Sequence, residues 1–383
     1  MSLQYLDEVI ASRRYIHMNP ELSFREYETA AFIIKKLEEY GIDCEIVAET
    51  GVVARITGEA GRSDKCVALR AELDALPVTE ENDLPWKSSV PGVMHACGHD
   101  VHAACMLGAA RIINEMKNEF AGTVIMLFQP GEEALPGGAK KMLDANVFGN
   151  TPPSLILAQH VLPGLHAGET GIRGGIYMAS GDEIYITLSG KGGHGATPDT
   201  TIDTVVAMSQ VVISLQQVSS RFAPPNIPTV LSFGKLIANG ATNVIPRQVT
   251  LEGTFRTMDE NWRAHAHEII NRIATNTAAI HGASCSVEIR KGYPVLYNDP
   301  EKTILVAGLM EEYLKKDKVK ELPVRMTTED FAWFAQQYPA VFYRIGTGMP
   351  ERQLHAPDFD IDEQAMLAGS GLPVWLAISY LLR

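Results

Sequence analysis

The run "GTVIMLFQP", residues 122–130, limits the possible folds more than any other feature of this chain. Val124 to Phe128 are apolar without a break. A strand with one wet face alternates apolar and polar residues, so an unbroken run points to a strand covered on both faces of a largely parallel sheet. "CVALRAELDALP", "SLILAQHV" and "AVFYRIGTG" repeat the pattern, and stretches of helical spacing separate them. The segment from Leu3 to Glu39 is helical in period but broken at "HMNPELS". "CGHDVHAACMLGAARIINEMKNEF" places Met106, Ala109, Ala110, Ile113 and Met116 on one helix face, with Asp100 as the expected N-cap. "EQAMLAGSGLPVWLAISYLL" reads as a closing helix.

The rhythm changes over residues 181–292. "DEIYITLSG" alternates, a helical stretch follows, "PTVLSFGKLI" and "QVTLEGTFRT" are two more strands, and a second helix precedes "SCSVEIRKG". That order, β-α-β-β-α-β, is ferredoxin-like. The expected architecture is therefore an α/β domain over residues 1–180 and 293–383, a largely parallel sheet flanked by helices. A smaller α+β domain over 181–292 interrupts it. A chain of 383 residues is long enough for both.

Composition narrows the partners. There are 33 basic residues against 46 acidic ones, a net charge of −13, which disfavours nucleic acid and anionic membrane as main partners. No apolar run reaches membrane-spanning length, and the first residues show no apolar signal core. The five cysteines are scattered and odd in number, which fits reduced thiols and an expected cytoplasmic address.

Chemistry gathers where the core strands end. Asp74 follows one strand, Glu132 and Glu133 a second and His160 a third; Cys97 and His99 open a helix, and His355 follows the last strand. Ligands of open α/β sheets bind beyond the carboxyl ends of the strands, so these groups are expected to meet there. One thiolate, three imidazoles and a carboxylate suit divalent cations, and five donors hold two ions if one of them bridges. Two such ions polarise a carbonyl and acidify a shared water. Of the adjacent pair Glu132 and Glu133, one can bind metal while the other faces that water as a base. Other readings stay open at this stage. Cys97 alone is a buried thiol or a nucleophile, His160 alone a core histidine, and Glu132-Glu133 a solvated first turn. His95 and His102 read as packing residues.

In order along the chain stand "ACGHDVH", "QPGEE", "AQH", "GGHGATP", "TNVIP", "TTEDF" and "LHAPDF". Together they resemble the amidohydrolase branch of the dinuclear metallopeptidases related to aminoacylase and glutamate carboxypeptidase. Hippurate hydrolases, N-acetyldiaminopimelate deacetylases and plant hydrolases of auxin–amino acid conjugates belong to that branch. The resemblance implies that Cys97, His99, Glu133, His160 and His355 bind two divalent ions per subunit, Mn²⁺ or Zn²⁺, with Co²⁺ or Ni²⁺ as alternatives. It implies Glu132 as general base and Asp74 as a carboxylate orienting a ligand or the base. It makes the inserted domain a lid that also forms a homodimer, with His194 stabilising the oxyanion. Asn243 and Arg256 become candidates for gripping a substrate carboxylate. The implied reaction is hydrolysis of N-acyl amino acids by a metal-bound water that Glu132 activates. The chain departs from the usual pattern at "DTTIDTV", where a run with Asp-Pro is common. The rivals are a dipeptidase or carboxypeptidase with the same machinery, a Cys97–His99 thiol hydrolase, and a silent relative that only binds peptides.

Overall fold

A computed structural model describes residues 1–383, which cluster into two compact units. The first comprises Met1–Tyr177, Tyr297–Val324 and Glu329–Arg383; the second comprises Met178–Leu296 and Arg325–Thr328.

The first unit is built on an eight-stranded sheet. Across it the strands run Cys44–Val47, Gly51–Thr57, Thr123–Gln129, Cys66–Glu72, Leu155–Leu162, Ala340–Gly346, Thr170–Ile172 and Val319–Glu321. The four central strands are mutually parallel, while both flanks bring in antiparallel pairs. The unbroken apolar runs are these central strands. Cys66–Glu72 and Leu155–Leu162 are buried at every position, as a sheet covered on both faces requires. From Cys66–Glu72 the chain passes to the neighbour on one side, Thr123–Gln129, and then to the neighbour on the other, Leu155–Leu162. The strand order reverses there, and such a switch opens a crevice at the carboxyl ends.

The helix His99–Glu115 differs from its expected one-sided pattern. Every residue from His99 to Ala110 is buried, because helices Ser2–Met18 and Ala365–Leu381 and the sheet all pack on it. Small residues permit that close approach: a Cβ on Gly108 would lie 2.6 Å from Val9 Cγ2. Asp100 is not the cap. Gly98, at φ +80°, holds the N-cap position, and Asp100 turns into the interior to accept from Arg13 Nε at 2.8 Å and His17 Nδ1 at 2.9 Å. A buried guanidinium and imidazole outcompete the helix's own amides for that carboxylate.

The second unit has four antiparallel strands in the order Thr229–Ala238, Gln248–Thr257, Ser180–Ser189 and Ser284–Lys291. Helices Thr204–Leu215 and Glu260–Ile280 share a core with the inward residues Ile184, Ile186 and Leu188. Asp203 and Asp259 cap the two helices with their side chains. No helix of the chain is long and apolar enough to cross a membrane.

Candidate functional site

The crevice at the switch point collects the expected groups of the first unit. Asp74, just past its strand, is a hub. Its backbone oxygen and Oδ1 lie 2.8 and 3.2 Å from His99 Nδ1, and its Oδ2 accepts from the Glu133 amide at 2.9 Å and Ser23 Oγ at 2.7 Å. His99 Nδ1 is thereby committed, and its Nε2 is buried with no hydrogen-bond partner. Cys97 Sγ lies 3.4 Å from His160 Nε2, and His160 Nδ1 faces the Val161 carbonyl at 2.8 Å. His355 sits at φ +65°, its amide bound to the Ala96 carbonyl and its Nε2 3.4 Å from Glu133 Oε1. That Glu133 oxygen is buried and makes no hydrogen bond. The donor atoms of Cys97, Glu133 and His355 lie within 4.8 Å of one another, as do those of His99, Glu132 and Glu133. Glu133 belongs to both groups.

These residues fit divalent cations on their own chemistry. A buried imidazole nitrogen and a buried carboxylate oxygen that make no hydrogen bond each cost stability unless something occupies the gap. Nδ1 of His99 is held by Asp74 and Nδ1 of His160 by the Val161 carbonyl, the kind of arrangement that orients metal-binding imidazoles. Burial opposes the charged form of His99, but the Asp74 hydrogen bond and the carboxylates of Glu72 and Glu133 outweigh it and raise its pKa to about 10. Burial first, then Glu329, Glu133 and Asp330, push Glu132 well above the ordinary carboxyl range. Burial, with Glu133 and Glu132, likewise pushes the Cys97 thiol well up. The helix start therefore does not give Cys97 a thiolate by itself; burial and two carboxylates outweigh the dipole. The nearest imidazole, His160, is held well below its usual pKa by burial, Arg344 and His102. A thiol hydrolase needs the opposite electrostatics, whereas a bound cation would deprotonate the thiol outright.

Residues 68–373 match the sequence profile of Peptidase family M20/M25/M40. The chain belongs to that family. Among its relatives, the N-acyl-L-amino acid amidohydrolase of Geobacillus stearothermophilus is 41% identical over 294 residues, 76% of this chain and 78% of that one. Thermostable carboxypeptidase 2 of Saccharolobus solfataricus is 35% identical over 98% of this chain and 95% of its own. Among solved structures, the Bacillus subtilis YXEP protein, described as a dinuclear metal binding peptidase of the M20 family, superposes with a TM-score of 0.84. It is 33% identical, covering 99% of both chains. As an M20 family member the chain is a hydrolase acting on amides, with a site for divalent metal ions.

This M20 chain carries a second layer of charge that the sequence reading did not assign. Arg70, fully buried inside an apolar strand, pairs with Glu72, Glu329 and Asp330 and donates to Gln129. Glu72 in turn accepts from His102 Nδ1, and His102 Nε2 accepts from the Val161 amide. Both His102 nitrogens are engaged, so His102 braces the strand end that carries His160. The Asp330 amide donates to Glu132 Oε1 at 3.4 Å. The visible signs were an arginine amid apolar strand residues and the "TTEDF" motif.

In the second unit, His194 lies on an exposed two-residue strand, and Val244, next to Asn243, pairs with it. The Gly195 amide donates to the Asn243 carbonyl at 2.8 Å. His194 Nδ1 accepts from the Ala196 amide at 3.1 Å, which leaves Nε2 to carry the proton. Arg256 is half-buried, donates to the Met326 carbonyl at 3.0 Å and has no carboxylate partner.

Proposed function

We propose that this chain hydrolyses the amide bond of N-acyl amino acids carrying acetyl, benzoyl or similar acyl groups. Cys97, His99, Glu133, His160 and His355 serve as ligands of two divalent ions, and Glu132 as the proton acceptor. The supporting observation is the division between the two glutamates. Each glutamate shares a donor group with His99, but the other group of Glu133 is Cys97 and His355, whereas that of Glu132 is the buried acidic pair Glu329 and Asp330, whose Asp330 amide also holds it. Two divalent ions bound there supply Lewis acidity toward the amide carbonyl and acidify a water. Glu132 takes the proton of the attacking water on its carboxylate and passes it to the departing amine nitrogen. Asp74 holds the His99 ring and the Glu133 amide in place. His194 donates its Nε2 proton to the oxygen that becomes negative. Arg256, which no carboxylate satisfies, and Asn243 receive the substrate's free carboxylate. The second unit acts as lid and as the homodimer contact. The products are a carboxylic acid and an amino acid.

The relatives' names support an N-acyl amino acid substrate through the Geobacillus enzyme and a peptide substrate through the Saccharolobus enzyme. The test combines substrate profiling with metal removal. The proposal expects release of acetate or benzoate from N-acyl amino acids, loss of activity with a chelator, and recovery with Mn²⁺, Zn²⁺ or Co²⁺. Cleavage of dipeptides without release of acetate or benzoate would replace it with the carboxypeptidase reading. Inactivation by iodoacetamide but not by chelator would overturn the metal mechanism.

A further inference from the structure

Glu26 stands at the N-cap of helix Tyr27–Glu39 but does not cap it. Its side chain is fully buried and reaches a different part of the fold. Oε1 accepts from the Gly131 amide at 2.8 Å and from the Phe24 amide at 2.9 Å; Oε2 accepts from Thr50 Oγ1 at 2.6 Å. Glutamate is not among the residues that cap their own first turn well, so this carboxylate is free to bind elsewhere.

Gly131 is the one residue between Pro130 and the Glu132-Glu133 pair. Pro130 has no N–H, so the Gly131 amide is the first donor after the strand Thr123–Gln129. Gly131 adopts φ +54°, and a Cβ there would lie 2.3 Å from the Phe24 ring, so no side chain fixes its rotation. What holds it is Glu26 on its N–H, with its carbonyl accepting from the Gly138 amide. On the far side of Glu132, the Glu133 amide is bound to Asp74, which Ser23 also grips. Glu132 is thus bracketed by two clamped amides, and both clamps lead back to the segment "SFRE", residues 23–26.

We propose that Glu26 is a positioning residue of this site: through the Gly131 amide it sets the aim of Glu132 and Glu133. The proposal rests on the reading of Glu132 as proton acceptor and Glu133 as ligand. It is the acceptor geometry of Oε1, not the charge, that matters. Rotation of the Gly131 peptide would swing both carboxylates, and a misplacement of about 1 Å costs on the order of 100-fold in rate.

Two variants separate geometry from charge. Glu26→Gln keeps Oε1 for both amides and turns its NH₂ to donate to Thr50 Oγ1. Glu26→Asp keeps the charge but withdraws the carboxylate by about 1.5 Å, one bond length. The expected result is a Gln variant with near wild-type kcat on an N-acetyl amino acid, and an Asp variant with kcat lowered about 100-fold at unchanged KM. Zn²⁺ affinity, measured by chelator competition, should fall about tenfold in Glu26→Asp and hold in Glu26→Gln. Hydrogen exchange of the Gly131 amide should accelerate in the Asp variant only. The Zn²⁺ and exchange measurements judge Glu26 even if the wild-type protein cleaves no N-acyl amino acid, so the two readings fail separately. An Asp variant indistinguishable from wild type, or a Gln variant as impaired as the Asp one, overturns the proposal.

Discussion

Glu132 and Glu133 are joined by one peptide bond and meet different surroundings. Glu133 has its amide on Asp74 and a bare oxygen near His355, while Glu132 faces Glu329 and Asp330. The carboxylate that holds the Glu133 side of the pair is Asp74, fully buried. Burial alone would raise its pKa, but the hydrogen bonds from His99, Ser23 and the Glu133 amide lower it instead, so it stays an acceptor. Asp74→Asn removes that charge and leaves one oxygen for three donors. Zn²⁺ affinity in chelator competition should then fall about 10- to 100-fold, with fold content by circular dichroism unchanged. Unchanged affinity would mean that His99 is oriented by the Asp74 carbonyl alone.

At the scale of elements, the start of helix His99–Glu115 ties the N-terminal helix to the site. His17 Nδ1 lies 2.9 Å from Asp100 Oδ2 and its Nε2 lies 3.2 Å from Glu80 Oε1. With a carboxylate at each nitrogen the ring is doubly protonated. Burial disfavours that charge, yet Asp100 and Glu80 outweigh it and raise the pKa of His17 to about 9. A group whose pKa is raised on folding stabilises fully below its unfolded value, about 6.5, and loses that contribution as pH rises through the folded one. The melting temperature should therefore decline between pH 6.5 and pH 9, and His17→Gln should flatten the decline while lowering stability at neutral pH. An equal decline in both proteins would remove His17 as its source. This helix start also shows where sequence stops being legible. Spacing located the helix, and acid type marked Asp100 as a cap. But the carboxylate goes to Arg13 and His17, more than eighty residues away in the chain, and no local pattern encodes that preference. The apolar strands were legible because burial on both faces leaves no alternation. Arg70 was visible as a charge inside such a strand, whereas its partners Glu329 and Asp330 come from a distant segment.

At the scale of the whole molecule, the switch in strand order converts separate sequence positions into one site. Asp74 follows one strand, and Glu132 and Glu133 follow its neighbour on one side. His160, expected just past a strand, lies within the neighbour on the other side, near its carboxyl end. The loop from Cys97 and the turn at His355 close over the same crevice. The strand ends were readable from the chain; the sheet order that makes them neighbours was readable only through the general rule for parallel sheets and the family resemblance. Glu26 was hidden for the same reason, since its partner Gly131 lies on another element. In the proposed mechanism, amide hydrolysis depends on divalent metal and on a base that is not a ligand. The most direct measurement compares wild type and Glu132→Gln, both reconstituted with Zn²⁺ or Mn²⁺, for metal content and for turnover of N-acetyl amino acids. Metal content should be equal, and turnover lower by about 10²- to 10⁴-fold in the variant. Undiminished turnover, or loss of metal in step with activity, would contradict it.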